Sequence, residues 1–237
     1  MMKDEIQTRA EEIIREHPES RILNFTFDRK KYWIKRKMGN GRNQWIKYSV
    51  EKEFYYELAR MRIAGEFHPE LIPNLVLLTS DYMVTEDGGP TLKNMLDSDI
   101  PEEEKLSILK KAGAALASLH ADGIIHGRPA LRDIAYKDGK FTFLDWESRL
   151  YSKDREEQKA IDFLLLLHGI GRENYREEKG RIQALIDGYR ENDGEKIIRN
   201  ARDFLARHSI IGKLTHLLAP FKMKDIESVR KLYDYLT

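Results

Sequence analysis

The chain contains no cysteine. A disulfide framework, a thiolate metal site and a cysteine nucleophile are therefore all excluded. Long hydrophobic runs are also missing: the longest, FLLLL at Phe163 to Leu167, is far too short to cross a bilayer. The first residues, MMKDEIQTRAEEIIREHPES, lack the apolar segment of a secretory signal. We therefore expect a cytoplasmic protein without a transmembrane segment.

An excess of charge of one sign is missing as well. Lys and Arg number 41 against 40 Asp and Glu, which gives a formal net charge of +1. A nucleic acid or an anionic membrane would therefore have to bind a local patch. One basic segment could form such a patch, with Tyr32 and Trp33 available to stack on bases. Its basic residues are Arg29, Lys30, Lys31, Lys35, Arg36 and Lys37.

The first part of the chain mixes strand and helix patterns. Apolar residues recur at helical spacing over Glu5 to Glu16 and over Val50 to Ala64. The segments RILNFTF and KYWIKRK are rich in β-branched and aromatic residues and predict a hairpin. Two more short strands are expected within LIPNLVLLTSDYMVTED. The sequence thus predicts about four strands and one internal helix before residue 86.

From Pro101 onward the pattern is almost all helical. Pro101 and the three glutamates that follow it are typical of a helix start. Further helices are predicted around Asp154 to His168, Arg176 to Arg190, Gly194 to Arg207 and Lys224 to Leu236. With 237 residues, the chain is long enough for one large domain or two lobes. We therefore predict an α+β fold with a boundary between residues 85 and 86.

The most informative segment is LASLHADGIIHGRPALRDIAYKDGKFTFLDWE, from Leu116 to Glu147. It reads as a helix end, a polar loop and a hairpin with an Asp-Gly turn. This layout resembles the catalytic and metal-binding loops of the protein-kinase-like superfamily. Within that superfamily, the chain is most similar to the compact group of bacterial lipopolysaccharide-core (Kdo and heptose) kinases and RIO/Bud32-type kinases. The resemblance implies an N-lobe with a small antiparallel sheet and one main helix, and a mostly helical C-lobe.

The resemblance also assigns nucleotide-binding residues in the N-lobe. Lys35, in the segment YWIKRK, would hold the phosphates of ATP, and a glutamate of the next helix would pair with it. Glu53 and Glu57 lie one turn apart on that helix, and we favour Glu53. The backbone near Val84 to Glu86 is expected to face the adenine. Lys35 could instead be a solvated residue of an edge hairpin.

The loops of the C-lobe depart from the family pattern at one position. Relatives read His-Arg-Asp or His-Gly-Asp, then four residues, then Asn. Here HGRPALRD places Arg128 at the aspartate position and Asp133 at the asparagine position. Asp145, in FLDWE, stands where relatives carry their metal-binding aspartate, so Asp133 and Asp145 are the predicted Mg²⁺ ligands. Alternatively, the hairpin is ordinary and Asp145 only caps the next segment.

Arg128 bears directly on catalysis, because a guanidinium stays protonated and cannot act as a general base. It could instead neutralise a phosphoryl group or bind an anionic substrate. His126 is expected to support the loop, and Asp162 is either a buried brace of that loop or a surface residue. The first glycine, Gly39, follows Lys35, so a phosphate-covering glycine loop is not recognisable.

Three functions therefore remain open. The favoured one is an atypical kinase that uses ATP and Mg²⁺ to phosphorylate a saccharide, another small molecule or a protein, with Arg128, Asp133 and Asp145 as its catalytic residues. The second is a pseudokinase that binds nucleotide or a protein partner. The third, disfavoured by the net charge, is a nucleic-acid-binding module. The sequence identifies neither the phosphate acceptor nor the oligomeric state.

Overall fold

The chain divides by its internal contacts into two compact units, Met1–Gly89 and Pro90–Thr237. The structure, a computed structural model, describes residues 2–38, 50–147, 150–173, 175–218 and 223–236. The predicted boundary between an N-lobe and a C-lobe, between residues 85 and 86, stays a prediction.

The first unit is built on a small antiparallel sheet. Its described helices and strands are α1 (Met2–Glu16), β1 (Ile22–Phe27), β2 (Lys30–Arg36), α2 (Val50–Phe67), β3 (Leu75–Leu78) and β4 (Tyr82–Glu86). In the described residues, the strand order of the sheet is β1-β2-β4-β3. Asp28 and Arg29 join β1 to β2 with φ angles of 45° and 61°. Such a left-handed pair follows the twist of the two strands, which is why the turn can be only two residues long.

The core of the first unit lies between α1 and this sheet. Ile6 and Ala10 of α1 are buried against Phe25, Ile34 and Val84 of the strands. The alternation of strand side chains explains why one sheet face can be covered by a single amphipathic helix.

The second unit is mostly helical and contains one hairpin among its described residues. The described elements are α3 (Leu92–Asp97), α4 (Glu102–Ala121), β5 (Ile134–Lys137), β6 (Lys140–Phe143), α5 (Arg155–Arg172), α6 (Glu178–Tyr189), α7 (Glu195–Arg207), α8 (Ser209–Leu218) and α9 (Lys224–Leu236). Asp138 and Gly139, with φ angles of 50° and 81°, form the turn between β5 and β6. Helices α3 and α8 were not predicted from the sequence.

Helices α4 and α6 approach each other very closely. A Cβ atom added to Gly113 of α4 would collide with the carbonyl oxygen of Leu185, and one added to Gly188 of α6 would collide with that of Lys110. Only glycine allows the two backbones to lie this close. This contact positions Tyr189, the last residue of α6.

The predicted fold class is confirmed: the chain has an α+β fold, with a small antiparallel sheet in the first unit and a mostly helical second unit, consistent with a kinase-like fold. In the described parts of the chain, no helix is both long enough and apolar enough to span a membrane.

Candidate functional site

The loop after α4 is anchored on a buried carboxylate. Asp162 of α5 is fully buried and accepts hydrogen bonds from the backbone N–H of His126 at 2.7 Å and from that of Gly127 at 3.0 Å. Gly127 has a φ of 93°, which a residue with a side chain rarely adopts. Of the two roles considered for Asp162, the structure thus shows the buried brace.

The His126 side chain fixes the loop from the other side. Its Nε2 lies 2.8 Å from the carbonyl oxygen of Leu144, which can only accept, so Nε2 carries the proton. The ring is buried and lies 4.7 Å from the Trp146 ring, centroid to centroid. Nδ1, 3.4 Å from the Arg128 backbone N–H, then accepts from it. Because both ring nitrogens are used within the loop, the role of His126 is structural, as expected.

Asp133 and Asp145 are held by backbone contacts between their two segments. The Leu144 N–H donates to the carbonyl oxygen of Asp133 at 2.7 Å. Asp133 ends a short 3₁₀ turn, Leu131–Asp133, and its side chain is largely buried. Asp145 has a φ of 61°, a left-handed conformation that is uncommon outside glycine and tends to occur at functional sites.

The Arg128 guanidinium faces both of these aspartates. Its Nη2 lies 3.3 Å from Asp145 Oδ2 and 3.9 Å from Asp133 Oδ2. Arg132 adds a second positive charge, since its Nε lies 3.6 Å from Asp133 Oδ1. The structure therefore brings together Arg128, Asp133 and Asp145, the three catalytic residues that the sequence predicts. Both carboxylates face the same guanidinium nitrogen.

This arrangement fits a magnesium ion bound together with a nucleotide. Among the described residues, no group of three or more His, Asp or Glu side chains could hold a metal by itself. Asp133 and Asp145 offer two carboxylates that converge on one cation position. Mg²⁺ is commonly held by one or two carboxylates, with waters and substrate phosphates completing its shell. The donor set thus suits Mg²⁺ that arrives with phosphate oxygens.

In the first unit, Lys35 of β2 forms an ion pair with Glu57 of α2. The Lys35 Nζ lies 2.8 Å from Glu57 Oε1 and 2.7 Å from Oε2. Glu57 shares the buried face of α2 with Phe54 and Met61, whereas Glu53, one turn earlier, is only half-buried. The preference for Glu53 was therefore wrong. The low exposure of Lys35, 13% of its side chain, also argues against a solvated lysine on an edge hairpin.

The expectation that the backbone near Val84 to Glu86 faces an adenine stays a prediction. Strand β4 lies between β2 and β3, so Val84 is in register with Ile34 on one side and Leu77 on the other. The Glu86 N–H donates to the Asn74 carbonyl oxygen at 2.9 Å. The Glu86 N–H is therefore used within the first unit.

Several basic residues around β2 lie against acidic or carbonyl groups. Tyr32 is buried, and Lys30 and Lys31 lie 3.1 Å and 3.8 Å from the carboxylates of Glu86 and Asp87. The Trp33 Nε1–H donates to Asp87 at 2.6 Å. Arg36 donates to three backbone carbonyls, those of residues 17, 18 and 20. This pairing with acidic and carbonyl groups disfavours a nucleic-acid-binding surface here.

Sequence reasoning missed a group of buried polar residues around Asp162. His120 Nε2 lies 3.5 Å from Asp162 Oδ2, and its Nδ1 shares a 2.6 Å hydrogen bond with the Tyr189 hydroxyl. Gln158 donates to Asp162 at 3.4 Å and accepts from the backbone N–H groups of Tyr151 and Ser152. Burial, and then the charge of Asp162, raise the pKa of Tyr189. His120 and Gln158 could have been suspected, because both interrupt the apolar side of a helix.

One feature noted in the sequence cannot be placed. Gly39, on which the comparison with a phosphate-covering glycine loop depended, lies outside the described residues.

Comparisons with known proteins support a kinase-like relationship for the chain. No family model matches the sequence. An uncharacterized protein of Haemophilus influenzae is 31% identical over 240 residues, which cover 99% of this chain and 97% of that protein. A KEOPS complex subunit Bud32 of Pyrococcus abyssi is 26% identical over 53% of this chain and 56% of its own length. A probable bifunctional tRNA threonylcarbamoyladenosine biosynthesis protein of Methanobrevibacter smithii is 28% identical over 54% of this chain and 22% of its own length. The last two support a RIO/Bud32-type relationship.

Proposed function

We propose that this chain, which belongs to the same family as the Haemophilus influenzae protein, is an atypical kinase-like phosphotransferase. It would move the γ-phosphate of ATP to a hydroxyl group of a saccharide, another small molecule or a protein. The similarity to the Pyrococcus abyssi Bud32 protein makes ATP binding plausible.

The observation that supports this function most directly is the convergence of Asp133 and Asp145 on one Arg128 nitrogen. Two carboxylates held by the backbone around a partly exposed cation at 3.3 Å and 3.9 Å contribute little to folding, because long, partly exposed ion pairs add little stability. The two carboxylates are suited instead to bind a ligand that carries a positive charge. Mg²⁺ bound with a nucleotide is such a ligand, and it would neutralise the charge on the phosphate oxygens.

The chain's own residues can be assigned roles on this proposal. Lys35, oriented by Glu57, would neutralise the α- and β-phosphates. Asp133 and Asp145 would hold the metal. Arg128 cannot remove a proton from the acceptor hydroxyl, so its role would be to neutralise charge on the transferring group. Phosphoryl transfer tolerates the loss of a base, because its transition state is usually loose and depends mainly on positioning and charge.

Thermal unfolding with nucleotide is the direct test of this function. ATP with Mg²⁺ at millimolar concentration should raise the melting temperature of the wild-type protein, because a ligand that binds only the folded state stabilises it. The rise should be lost in Asp145→Ala. Asp203→Ala, at an exposed position of α7, is the matched control and should keep it.

Phosphotransferase activity is tested by measuring the release or transfer of labelled γ-phosphate. The proposal expects transfer that requires Mg²⁺ and Asp145. Failure of ATP to shift the melting temperature in either the presence or the absence of Mg²⁺ would refute nucleotide binding, and with it the proposed activity.

A pseudokinase is the second candidate, and Arg128 is the observation that favours it. If ATP binds but no γ-phosphate is released or transferred, the chain would act as a nucleotide-dependent binding protein. Restoring the family pattern with Arg128→Asp separates the cases: a gain of activity would indicate a site that has lost its base and retained the rest.

The class of phosphate acceptor is the least constrained part of the proposal. The resemblance to lipopolysaccharide-core kinases favours a saccharide hydroxyl, whereas the name of the Bud32 relative indicates no acceptor. A panel of acceptors offered with labelled ATP would separate these classes. Use of ATP is in keeping with the expected cytoplasmic location.

A further inference from the structure

The Arg128 guanidinium lies where a metal ion would be expected to bind. A single atom, Nη2, faces one oxygen of Asp145 at 3.3 Å and one of Asp133 at 3.9 Å. A bound divalent ion often bridges two carboxylates from separate segments in the same way. The arginine therefore already fills the electrostatic role of such an ion.

The aspartates do not depend on Arg128 for their positions. The 2.7 Å hydrogen bond from Leu144 N–H to the Asp133 carbonyl oxygen links their two segments through the backbone. The Nε2 of His126 adds a second link at the Leu144 carbonyl oxygen. Replacing Arg128 should thus leave two carboxylates still directed at the same point, now without that cation.

Two cationic side chains already lie beside the two aspartates. Arg128 and Arg132 offset the two charges of Asp133 and Asp145, so these four side chains together carry no net charge. A free divalent ion that joined them would add two positive charges to a group that includes a permanently charged guanidinium. A metal–nucleotide complex would instead bring phosphate oxygens that bind the guanidinium well.

The contact is also loose enough to exchange. At 3.3 Å, the Arg128–Asp145 hydrogen bond is longer than the roughly 2.8 Å typical of charge-assisted pairs. The Arg128 Nε is buried and has no hydrogen-bond partner in the described part of the chain. The guanidinium therefore keeps an unused donor for an incoming anion.

We propose that Arg128 is the resident counter-ion of the Asp133–Asp145 pair, and that it makes the site specific for a metal–nucleotide complex over a free divalent ion. In the free protein the guanidinium occupies the cation position. When the complex binds, the guanidinium turns from the carboxylates to the phosphates and the metal takes its place. Only the nucleotide half of this inference rests on the proposed function.

Binding of Mn²⁺ without nucleotide tests the inference, with the unbound ion measured by its electron paramagnetic resonance signal. Wild-type protein should bind Mn²⁺ weakly. Arg128→Gln should bind one ion per chain at least about tenfold more tightly, because a positive charge near the ion is removed. Arg128→Lys, which keeps the charge, should stay weak. Adding Asp145→Asn to Arg128→Gln should abolish the gain.

Arg132→Gln is the matched control, since its side chain is 63% exposed and contacts only one of the two aspartates. It should increase Mn²⁺ affinity less than Arg128→Gln does. The inference is overturned if Arg128→Gln, shown to be folded by circular dichroism, binds Mn²⁺ no better than wild type. It is also overturned if Arg128→Lys gains as much affinity as Arg128→Gln.

Failure of this inference can be told apart from failure of the proposed function. A gain of Mn²⁺ affinity in Arg128→Gln, with no thermal shift from ATP in any variant, would support the counter-ion role and refute nucleotide binding. A clear ATP shift with no gain of Mn²⁺ affinity would leave the proposed function standing and refute the counter-ion role.

Discussion

The ion pair of Lys35 and the contacts of Arg128 differ in distance, burial and support. Lys35 and Glu57 approach to 2.7 Å, and their side chains are 13% and 2% exposed. Arg128 approaches its two aspartates to 3.3 Å and 3.9 Å, and its side chain is 39% exposed. Short buried pairs are costly to break, whereas longer exposed ones exchange readily. The first pair is therefore suited to hold a lysine still, and the second to release an arginine.

The largest expected change in unfolding free energy comes from removing Asp162, and it tests whether this residue anchors the loop that carries Arg128. Asp162→Ala removes the acceptor of two backbone N–H groups and should cost at least about 3 kcal/mol of unfolding free energy. Asp162→Asn keeps one acceptor oxygen and should cost less. Urea denaturation measures both. A loss below about 1 kcal/mol in Asp162→Ala would mean that the loop is not anchored there.

The next effect tests the tight pair. Glu57→Gln leaves the Lys35 ammonium buried beside a neutral amide and should lower the unfolding free energy by about 3 kcal/mol. Glu53→Gln, at the half-buried position one turn earlier, should lower it by less than about 0.5 kcal/mol. Equal losses in the two variants, measured by urea denaturation, would argue that Glu57 does not hold Lys35.

A smaller effect is expected from the loose contact. Arg128→Gln should change the unfolding free energy by less than about 1 kcal/mol in metal-free buffer, because the pair is partly exposed and long. The same variant should lose γ-phosphate transfer if Arg128 neutralises the transferring group. A loss of unfolding free energy as large as that of Glu57→Gln would contradict the expected difference between the Lys35–Glu57 ion pair and the Arg128 contacts.

The smallest effect concerns a surface pair that serves as a reference. Lys159 and then Lys196 hold the pKa of Glu156 at about 2. Because this folded-state pKa is depressed, the stabilisation is present above the ordinary pKa of 4.5 and is lost as the pH falls through about 2. Solvent screening of this 36% exposed side chain limits the effect to about 0.5 kcal/mol. Wild type and Glu156→Gln should therefore differ slightly at pH 6 and converge near pH 2, as followed by urea denaturation.

The sequence predicted the elements that depend on local signals. The Asp-Gly turn between β5 and β6 and the helix after Pro101 follow from neighbouring residues. Helix α3 is only six residues long and was missed, although Thr91 caps it by accepting from the Asn94 N–H. Helix α8, which follows α7 after a single residue, His208, was also missed.

The remaining features of the fold and the site depend on an environment that is set by distant residues. Glu53 and Glu57 lie on the same side of α2, and only the packing beneath the helix decides which is buried. The position of β4 in the middle of the sheet depends on pairing with β3 and also with β2, which is distant in sequence. The direction in which Arg128 points was likewise not encoded in any local pattern.

The close crossing of α4 and α6 makes the site sensitive to substitutions far along the chain. At Gly113 and Gly188 the space that a methyl group would need is taken by backbone of the opposite helix. Any larger residue there would push α6 outward and carry Tyr189 away from His120, which lies beside Asp162. The position of the loop thus depends in part on the absence of a side chain at these two positions. Substitution of either glycine would displace the loop although neither residue contacts the aspartates.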